Sequence, residues 1–192
     1  QTVNHAVVLD FSRYMNGVLE VNTEELWVRV QPGLVQDELN HHVRGSGLLF
    51  GPDTSTSNRA TLGGMLGNNS GGSHSIAYGL TVEHVIELKG FLADGSPVTF
   101  GTVTPAEFAA KARLPGLEGQ VYAEVARIRV QYREEIARRF RGHWRRVCGY
   151  NLNELIKDGA LNMARLLVGS EGTLFTIVEA KVRLVRRPKH TS

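Results

Sequence analysis

The residues best suited to chemistry crowd into one stretch, "FGPDTSTSNRATLGGMLGNNSGGSHSIAYG", Phe50 to Gly79. Nine of the 21 glycines of the chain lie between Gly45 and Gly79. A glycine weakens a regular element by about 1 kcal/mol relative to alanine, so their concentration asks for a reason, and close approach of backbone N–H groups to a ligand is one. Interleaved with them are Thr54, Ser55, Thr56, Ser57, Thr61, Asn68, Asn69, Ser70 and Ser73. Such neutral donors satisfy phosphate or ribose oxygens without adding fixed charge, which suits a large polar ligand with an anionic middle. A second patch, "GSEGT" from Gly169 to Thr173, has the same character. Its carboxylate, Glu171, repels a phosphate but accepts hydrogen bonds from a ribose or holds a neighbouring loop. Neither the Walker pattern nor the dinucleotide fingerprint is present: no Gly-Lys-Ser/Thr occurs, and "GGMLG" has the wrong glycine spacing. Composition alone describes an ordinary surface loop equally well.

His74, Tyr78 and Gly79 lie inside the same stretch, and His74 is placed to donate to a bound cofactor. His41 and His42 are adjacent on an expected helix and point about 100° apart, so they do not chelate one ion together. Cys148, the single cysteine, forms no internal disulfide, which points to a reducing compartment, and it reads as a small buried hydrophobe. No metal site and no catalytic acid or base is assigned. The net charge of +3 is local: without Arg138, Arg139, Arg141, Arg145 and Arg146 it would be −2. With His143 and Trp144 among them, these arginines read as a solvated helix end, a docking face, or, less well, a phosphate-binding patch for nucleic acid.

At 192 residues and 42% hydrophobic, the chain is long enough for one well-buried core and reads as one domain. No apolar run approaches the roughly 20 residues of a membrane helix. Gln1 opens onto polar "QTVNH" with no leader, and a chain starting on Gln is expected to be cut from something longer.

The elements that position these residues read as follows. "AVVLDF" (Ala6 to Phe11) and "ELWVRVQ" are expected strands separated by a turn at "SRYMNG". Leu34, Val35, Leu39 and Val43 form a helical stripe closed by Gly45. "VEHVIELKGFLADGSPVTFG" is a hairpin turning at Asp94 and Gly95, and Thr104, Pro105 and Glu107 form a capping box. Val121, Val125, Ile128, Tyr132 and Ile136 share a face of one long helix, and Asn151 caps a short one. "ARLLVGSEGTLFTIVEAKVRLVRRP" holds two strand-like runs split by "GSEG". No βαβ alternation or repeat period occurs, so the fold class is α+β with a largely antiparallel sheet flanked by helices.

The combination of "GPD", "TLGG", "NNSGG", "YGLTVEHVIELKGFLADG" and "GSEGT", in this order, resembles the FAD-linked 2-hydroxy-acid dehydrogenases of the vanillyl-alcohol oxidase superfamily, of D-lactate, glycolate and D-2-hydroxyglutarate dehydrogenase type. The similarity runs the full length of the chain, and "YREEIARRF…VCGYNLNELI" is most similar to members associated with iron–sulfur proteins. The resemblance implies one lobe, mainly the second, of a PCMH-type FAD-binding domain over residues 1–192. It implies that Pro52, Asp53, Thr54 and Ser55, with Thr61, Gly63 and Gly64, run along the flavin, ribityl chain and pyrophosphate of FAD. Asn68, Asn69, Ser70 and Gly71 continue that cradle, and Glu171, Gly172, Thr173 and Ile177 come from the returning strand. His74, Tyr78 and Gly79 complete the neighbourhood. The implied whole enzyme transfers hydride from a D-2-hydroxy acid to flavin N5 and passes electrons to an iron–sulfur or other electron-transfer partner. It is expected in the cytoplasm or peripheral at the inner face of the membrane, neither integral to it nor bound to nucleic acid. Alternatives are a non-catalytic nucleotide-binding module and an arginine-mediated nucleic-acid binder. Two departures stand out: the family's earlier glycine-rich phosphate loop and its histidine-bearing substrate cap have no counterpart here, and Gly71 stands where many iron–sulfur-type relatives carry cysteine.

Overall fold

Along the chain the elements are β1 (Val18–Asn22), β2 (Trp27–Val30), α1 (Gln36–Val43), β3 (Leu48–Leu49), α2 (Leu62–Asn68), α3 (Ser75–Tyr78), α4 (Thr81–His84), β4 (Val85–Phe91), β5 (Pro97–Phe100), β6 (Thr102–Val103), α5 (Pro105–Lys111), α6 (Gly116–Gln131), α7 (Arg133–Arg139), β7 (Ile156–Lys157), β8 (Ala160–Asn162), α8 (Met163–Leu167), β9 (Thr176–Arg183) and β10 (Val185–Arg186). This computed structural model describes residues 7–140, 149–157 and 160–188. Five strands form one antiparallel sheet in the order β1-β2-β9-β4-β5, so β9, late in the sequence, is central. The short strands pair separately, β10 with β3 and β6-β8-β7.

Alternation along the central strands sorts the two faces of the sheet. Val28, Val30, Leu88, Ala180 and Val182 are fully buried and join one cluster with Leu39, Leu62, Leu66 and Met163 from the covering helices. Burying each such large apolar side chain is worth about 1.5–3 kcal/mol, the main term holding helices to sheet. The opposite face carries charges that neutralise one another. Arg29 lies 2.8 Å from Glu87 and 3.6 Å from Glu179, Lys89 lies 3.1 Å from Glu179, and the Lys181 ammonium sits 3.6 Å above the buried Trp27 ring.

The hairpin forms where its turn residues require it: Gly95 adopts φ 81° and the Asp94 carboxylate accepts the Ser96 N–H at 2.9 Å. The capping box at Thr104 also forms, with Glu107 accepting the Thr104 N–H at 2.7 Å and Thr104 Oγ1 accepting the Glu107 N–H at 3.2 Å. Four expectations differ. Val7 to Phe11 is in no strand, because no described strand lies beside it to supply a ladder; the first strand is Val18–Asn22 instead, paired with β2. The cap after α1 is Gly47, at φ 68°, because a turn of 3-10 helix (Arg44–Ser46) carries the chain past Gly45. The long helix breaks at Tyr132 into α6 and α7, and its most buried residue is Tyr122, packed between Phe100 and Phe108. The first of the two late runs is helix α8: the Asn162 side chain accepts the Ala164 N–H at 2.8 Å and starts a helix where β-branched residues are few.

Cys148 and the stretch holding Arg141, His143, Trp144, Arg145 and Arg146 lie outside the described residues. Arg138 and Arg139 both bind Glu135 on their own helix. His41 and His42 are exposed, and among the described residues no group of three or more potential metal ligands occurs. Among those residues no helix is long and apolar enough to cross a membrane.

Candidate functional site

The two glycine-rich segments meet. α2 ends at Asn69, which takes the left-handed conformation (φ 53°), and the turn that follows α8 seats on this end of the helix. The Gly169 N–H donates to Leu66 O at 2.8 Å and the Glu171 N–H to Gly67 O at 2.9 Å. Glu171 at φ 51° and Gly172 at φ 77° bend the turn back, and Thr173 Oγ1 closes it on Ser170 O at 2.6 Å. From there the chain runs directly into β9, where Ile177 stands opposite Gly90, half-buried against the core.

The other wall is the loop from Gly51 to Ser57. Its shape is imposed by Gln36, a buried glutamine whose Nε2 donates to Pro52 O and whose Oε1 accepts the Thr54 hydroxyl at 3.1 Å. Gly72 presses against this loop so closely that a Cβ there would lie 2.0 Å from Asp53 O. The Asp53 carboxylate in turn accepts the Ser73 hydroxyl at 3.1 Å and the His74 N–H at 3.0 Å, and it lies 2.8 Å from His74 Nδ1. Burial raises the Asp53 carboxyl, but the His74 and Ser73 contacts outweigh it and hold the group below the usual carboxylate range.

Between the walls, Asn69 Oδ1 accepts the Val82 N–H at 2.9 Å, and Ser70 O accepts both the N–H and the hydroxyl of Thr81, at 3.0 and 2.7 Å. Gly71 fits because a Cβ would lie 2.4 Å from Leu80 Cδ2 and 2.6 Å from Ser75 Oγ. Gly79, at φ 85°, passes beneath the Glu83 carboxylate, and Tyr78 O is held by His84.

The start of α2 holds no spare donors. Leu62 donates to Leu34 O and Gly63 to Pro32 O, both at 2.8 Å, while the Gly64 N–H is taken by Thr61 Oγ1 at 3.3 Å. Gly63 is small because Pro32 lies 2.7 Å from where its Cβ would be. These positions place the cradle against the β2–α1 connection. The open donors lie elsewhere: among the described residues the backbone N–H groups of Thr54, Ser55 and Thr56 make no hydrogen bond, and the neutral side chains of Ser55 and Asn68 are exposed beside them or across the cradle. Successive unpaired N–H groups with hydroxyls around them form the donor set that an anionic, polyhydroxylated cofactor needs.

Gln36, Thr81, His84 and Asn151 are the supporting residues that sequence reasoning missed. Gln36 had a signal, since it stands three residues before Leu39, a polar side chain on the buried stripe of α1. Asn151 was expected as an N-cap; its side chain instead donates to Val168 O at 2.7 Å and pins the start of the glycine turn. His84 is buried with Nε2 2.7 Å from Tyr78 O and Nδ1 3.2 Å from Arg183 O, and Gly51 leaves room for its ring. Burial pushes the imidazole below the ordinary histidine range, and the carbonyl contacts offset this only in part. A ring whose folded-state value is depressed is harder to protonate in the native protein than in the unfolded chain. The stability it contributes is therefore complete above its ordinary value of 6.5 and declines as pH falls below that. The melting temperature is expected to drop more between about pH 7.5 and about pH 5.5 in the wild type than in His84→Gln, as differential scanning fluorimetry would show.

An antiparallel α+β fold that presents unpaired amides, a hydroxyl and a carboxamide at one cradle has the character of a nucleotide-cofactor-binding domain. Residues 1–101 match a family profile described as an FAD binding domain, and the chain belongs to that family; FAD is its cofactor. The chain is 39% identical over 191 residues to the D-2-hydroxyglutarate dehydrogenase of Pantoea ananatis and 37% identical over 192 residues to that of Escherichia coli, in each case over 98% of this chain and 19% of the relative. It is 30% identical over 177 residues to the glycolate oxidase subunit GlcD of Bacillus subtilis, covering 92% of this chain and 27% of that one. The chain thus spans about a fifth of the length of the dehydrogenases it matches. Among solved structures, an alkyldihydroxyacetonephosphate synthase superposes with a TM-score of 0.57 at 22% identity, over 94% of this chain and 23% of that one, which supports the same fold.

Proposed function

We propose that residues 1–192 form one lobe of the FAD domain of a flavin-dependent oxidoreductase that oxidises a D-2-hydroxy acid. The observation that carries this reading is the seating of the Gly169–Thr173 turn on the end of α2, which makes one cradle of neutral donors out of two segments about a hundred residues apart. The relatives named for D-2-hydroxyglutarate, glycolate and D-lactate supply the substrate class.

When bound, FAD supplies the hydride acceptor at its N5 position. This lobe binds and orients. Thr54, Ser55 and Thr56 offer their amides, and Ser55 its hydroxyl, to the pyrophosphate; Pro52 and Asp53 lie on the same loop, and Thr61, Gly63 and Gly64 fix its distance from the sheet. Asn68, Ser70 and Gly71 line the floor, which Asn69 holds in place. Glu171, Gly172 and Thr173 form the far rim, where a carboxylate suits a ribose hydroxyl better than a phosphate, and Ile177, with Tyr78 and Gly79, backs the walls. The proton acceptor and the substrate-binding groups belong to parts of the enzyme other than this lobe. In the intact protein the electrons pass to an iron–sulfur or other electron-transfer partner, in the cytoplasm or at the inner face of the membrane.

The test is the colour of the intact protein that carries this segment. It is expected to purify with stoichiometric flavin absorbance that is bleached anaerobically by at least one of D-2-hydroxyglutarate, D-lactate and glycolate. A protein that takes up no FAD sinks the cofactor reading, and a yellow protein bleached by none of them sinks the substrate class.

A further inference from the structure

Asp53 stands among the residues implied to touch the cofactor, yet its carboxylate is already engaged. Oδ1 accepts the His74 backbone N–H at 3.0 Å, while Oδ2 accepts the Ser73 hydroxyl at 3.1 Å and lies 2.8 Å from His74 Nδ1. An ionised carboxylate only accepts, so the ring nitrogen that faces it carries the proton. That contact selects the Nδ1–H tautomer, and a neutral ring then presents Nε2 as a lone pair with no hydrogen. Among the described residues Nε2 has no partner, and the His74 side chain is 69% exposed.

A bare nitrogen of this kind discriminates between the parts of the cofactor that donate and those that only accept. Pyrophosphate oxygens only accept, so they gain nothing from it. Donors lie on either side of the pyrophosphate: the imide N–H of the flavin ring and the ribityl hydroxyls at one end, the ribose hydroxyls and the adenine amine at the other. Sequence alone left the flavin and its phosphates open to His74, as a donor. The dyad with Asp53 reverses its role and excludes the phosphates.

We propose that Asp53 is a positioning residue which, by holding His74 as its Nδ1–H tautomer, makes His74 Nε2 a hydrogen-bond acceptor for a donor of FAD, whether imide N–H, amine N–H or sugar hydroxyl, and not a partner of its pyrophosphate. The inference rests on the FAD reading above. It assigns Asp53 no contact with the cofactor, which also removes the difficulty of a carboxylate beside an anionic ligand.

Two measurements on the intact holoprotein test it. Neutron diffraction is expected to show hydrogen on Nδ1 of His74 and none on Nε2, and hydrogen on Nε2, alone or together with Nδ1, overturns the proposal. In FAD titrations of the deflavinated protein, His74→Leu, which cannot accept, is expected to raise the dissociation constant about tenfold, while His74→Gln, whose amide oxygen accepts, stays within about threefold of wild type. Because the ring is exposed, neither change threatens the fold. Repeating the pair with N3-methyl-FAD separates the donors: a wild-type advantage that vanishes assigns the imide N–H, and one that persists assigns a sugar hydroxyl or the adenine amine. Wild type and His74→Leu binding FAD equally tightly overturns this inference and leaves the FAD reading standing. A wild type that binds no FAD overturns both.

Discussion

Gly72→Ala is expected to yield an intact protein that purifies without flavin. The added methyl carbon would sit 2.0 Å from Asp53 O and 2.8 Å from Asp53 C, and both are backbone atoms that cannot rotate aside. The loop from Gly51 to Ser57 must then move away from the floor of the cradle, carrying Asp53 off Ser73 and His74 and drawing Pro52 and Thr54 from Gln36. Overpacking a rigid site of this kind costs about 1–3 kcal/mol, and here the strain falls directly on the ligand wall. Gly45→Ala is the control, because nothing lies within 4 Å of the methyl it would add. Absorbance at the flavin bands after gel filtration reads both variants. Full flavin occupancy in Gly72→Ala would show that the loop is not a wall of the site.

Asn69→Ala is expected to destabilise the protein by about 2–5 kcal/mol, from two separable causes. Asn69 occupies the left-handed region at φ 53°, where alanine is strained by about 1–2 kcal/mol. Its Oδ1 also accepts the Val82 N–H at 2.9 Å at a residue only 2% exposed, and leaving that donor without a partner costs about 1–3 kcal/mol. Asn69→Gly relieves the backbone but not the lost acceptor, so it falls between wild type and Asn69→Ala; Asn69→Asp keeps an acceptor and falls nearest wild type. Urea denaturation followed by circular dichroism orders the three. Equal loss in Asn69→Gly and Asn69→Ala would assign the whole effect to the hydrogen bond.

What was legible in the sequence was local chemistry with a fixed geometric demand. Asp94–Gly95 forced a turn, Thr104 and Glu107 forced a helix start, and the clustered glycines marked a surface meant for something other than side chains. Non-local pairing was the unreadable part. "AVVLDF" has every property of a strand, but a strand needs a neighbour, and the neighbour is not a property of the six residues themselves. "ARLLV" was read as a strand because it is apolar; the Asn162 cap before it decided for helix, and a short apolar run gives no period by which to tell. In the candidate site, the hydroxyl and amide residues stood out by type, whereas the buried polar residues behind them did not. His84 and Gln36 look like surface polar residues until the fold buries them, and only the buried stripe of α1 gave Gln36 away. The role of Asp53 was concealed for the same reason: a carboxylate in a cofactor loop reads as a ligand until its three partners are seen.

The strand leaving the Glu171 turn is the middle plank of the sheet, and its far end lies against His84, 3.2 Å from one ring nitrogen, while the other lies 2.7 Å from the carbonyl of Tyr78 on the opposite wall. One rod therefore joins both rims of the groove through the deepest part of the molecule. The groove's two sides thus lean on one element of the sheet, and a displacement of that strand's end is felt on both.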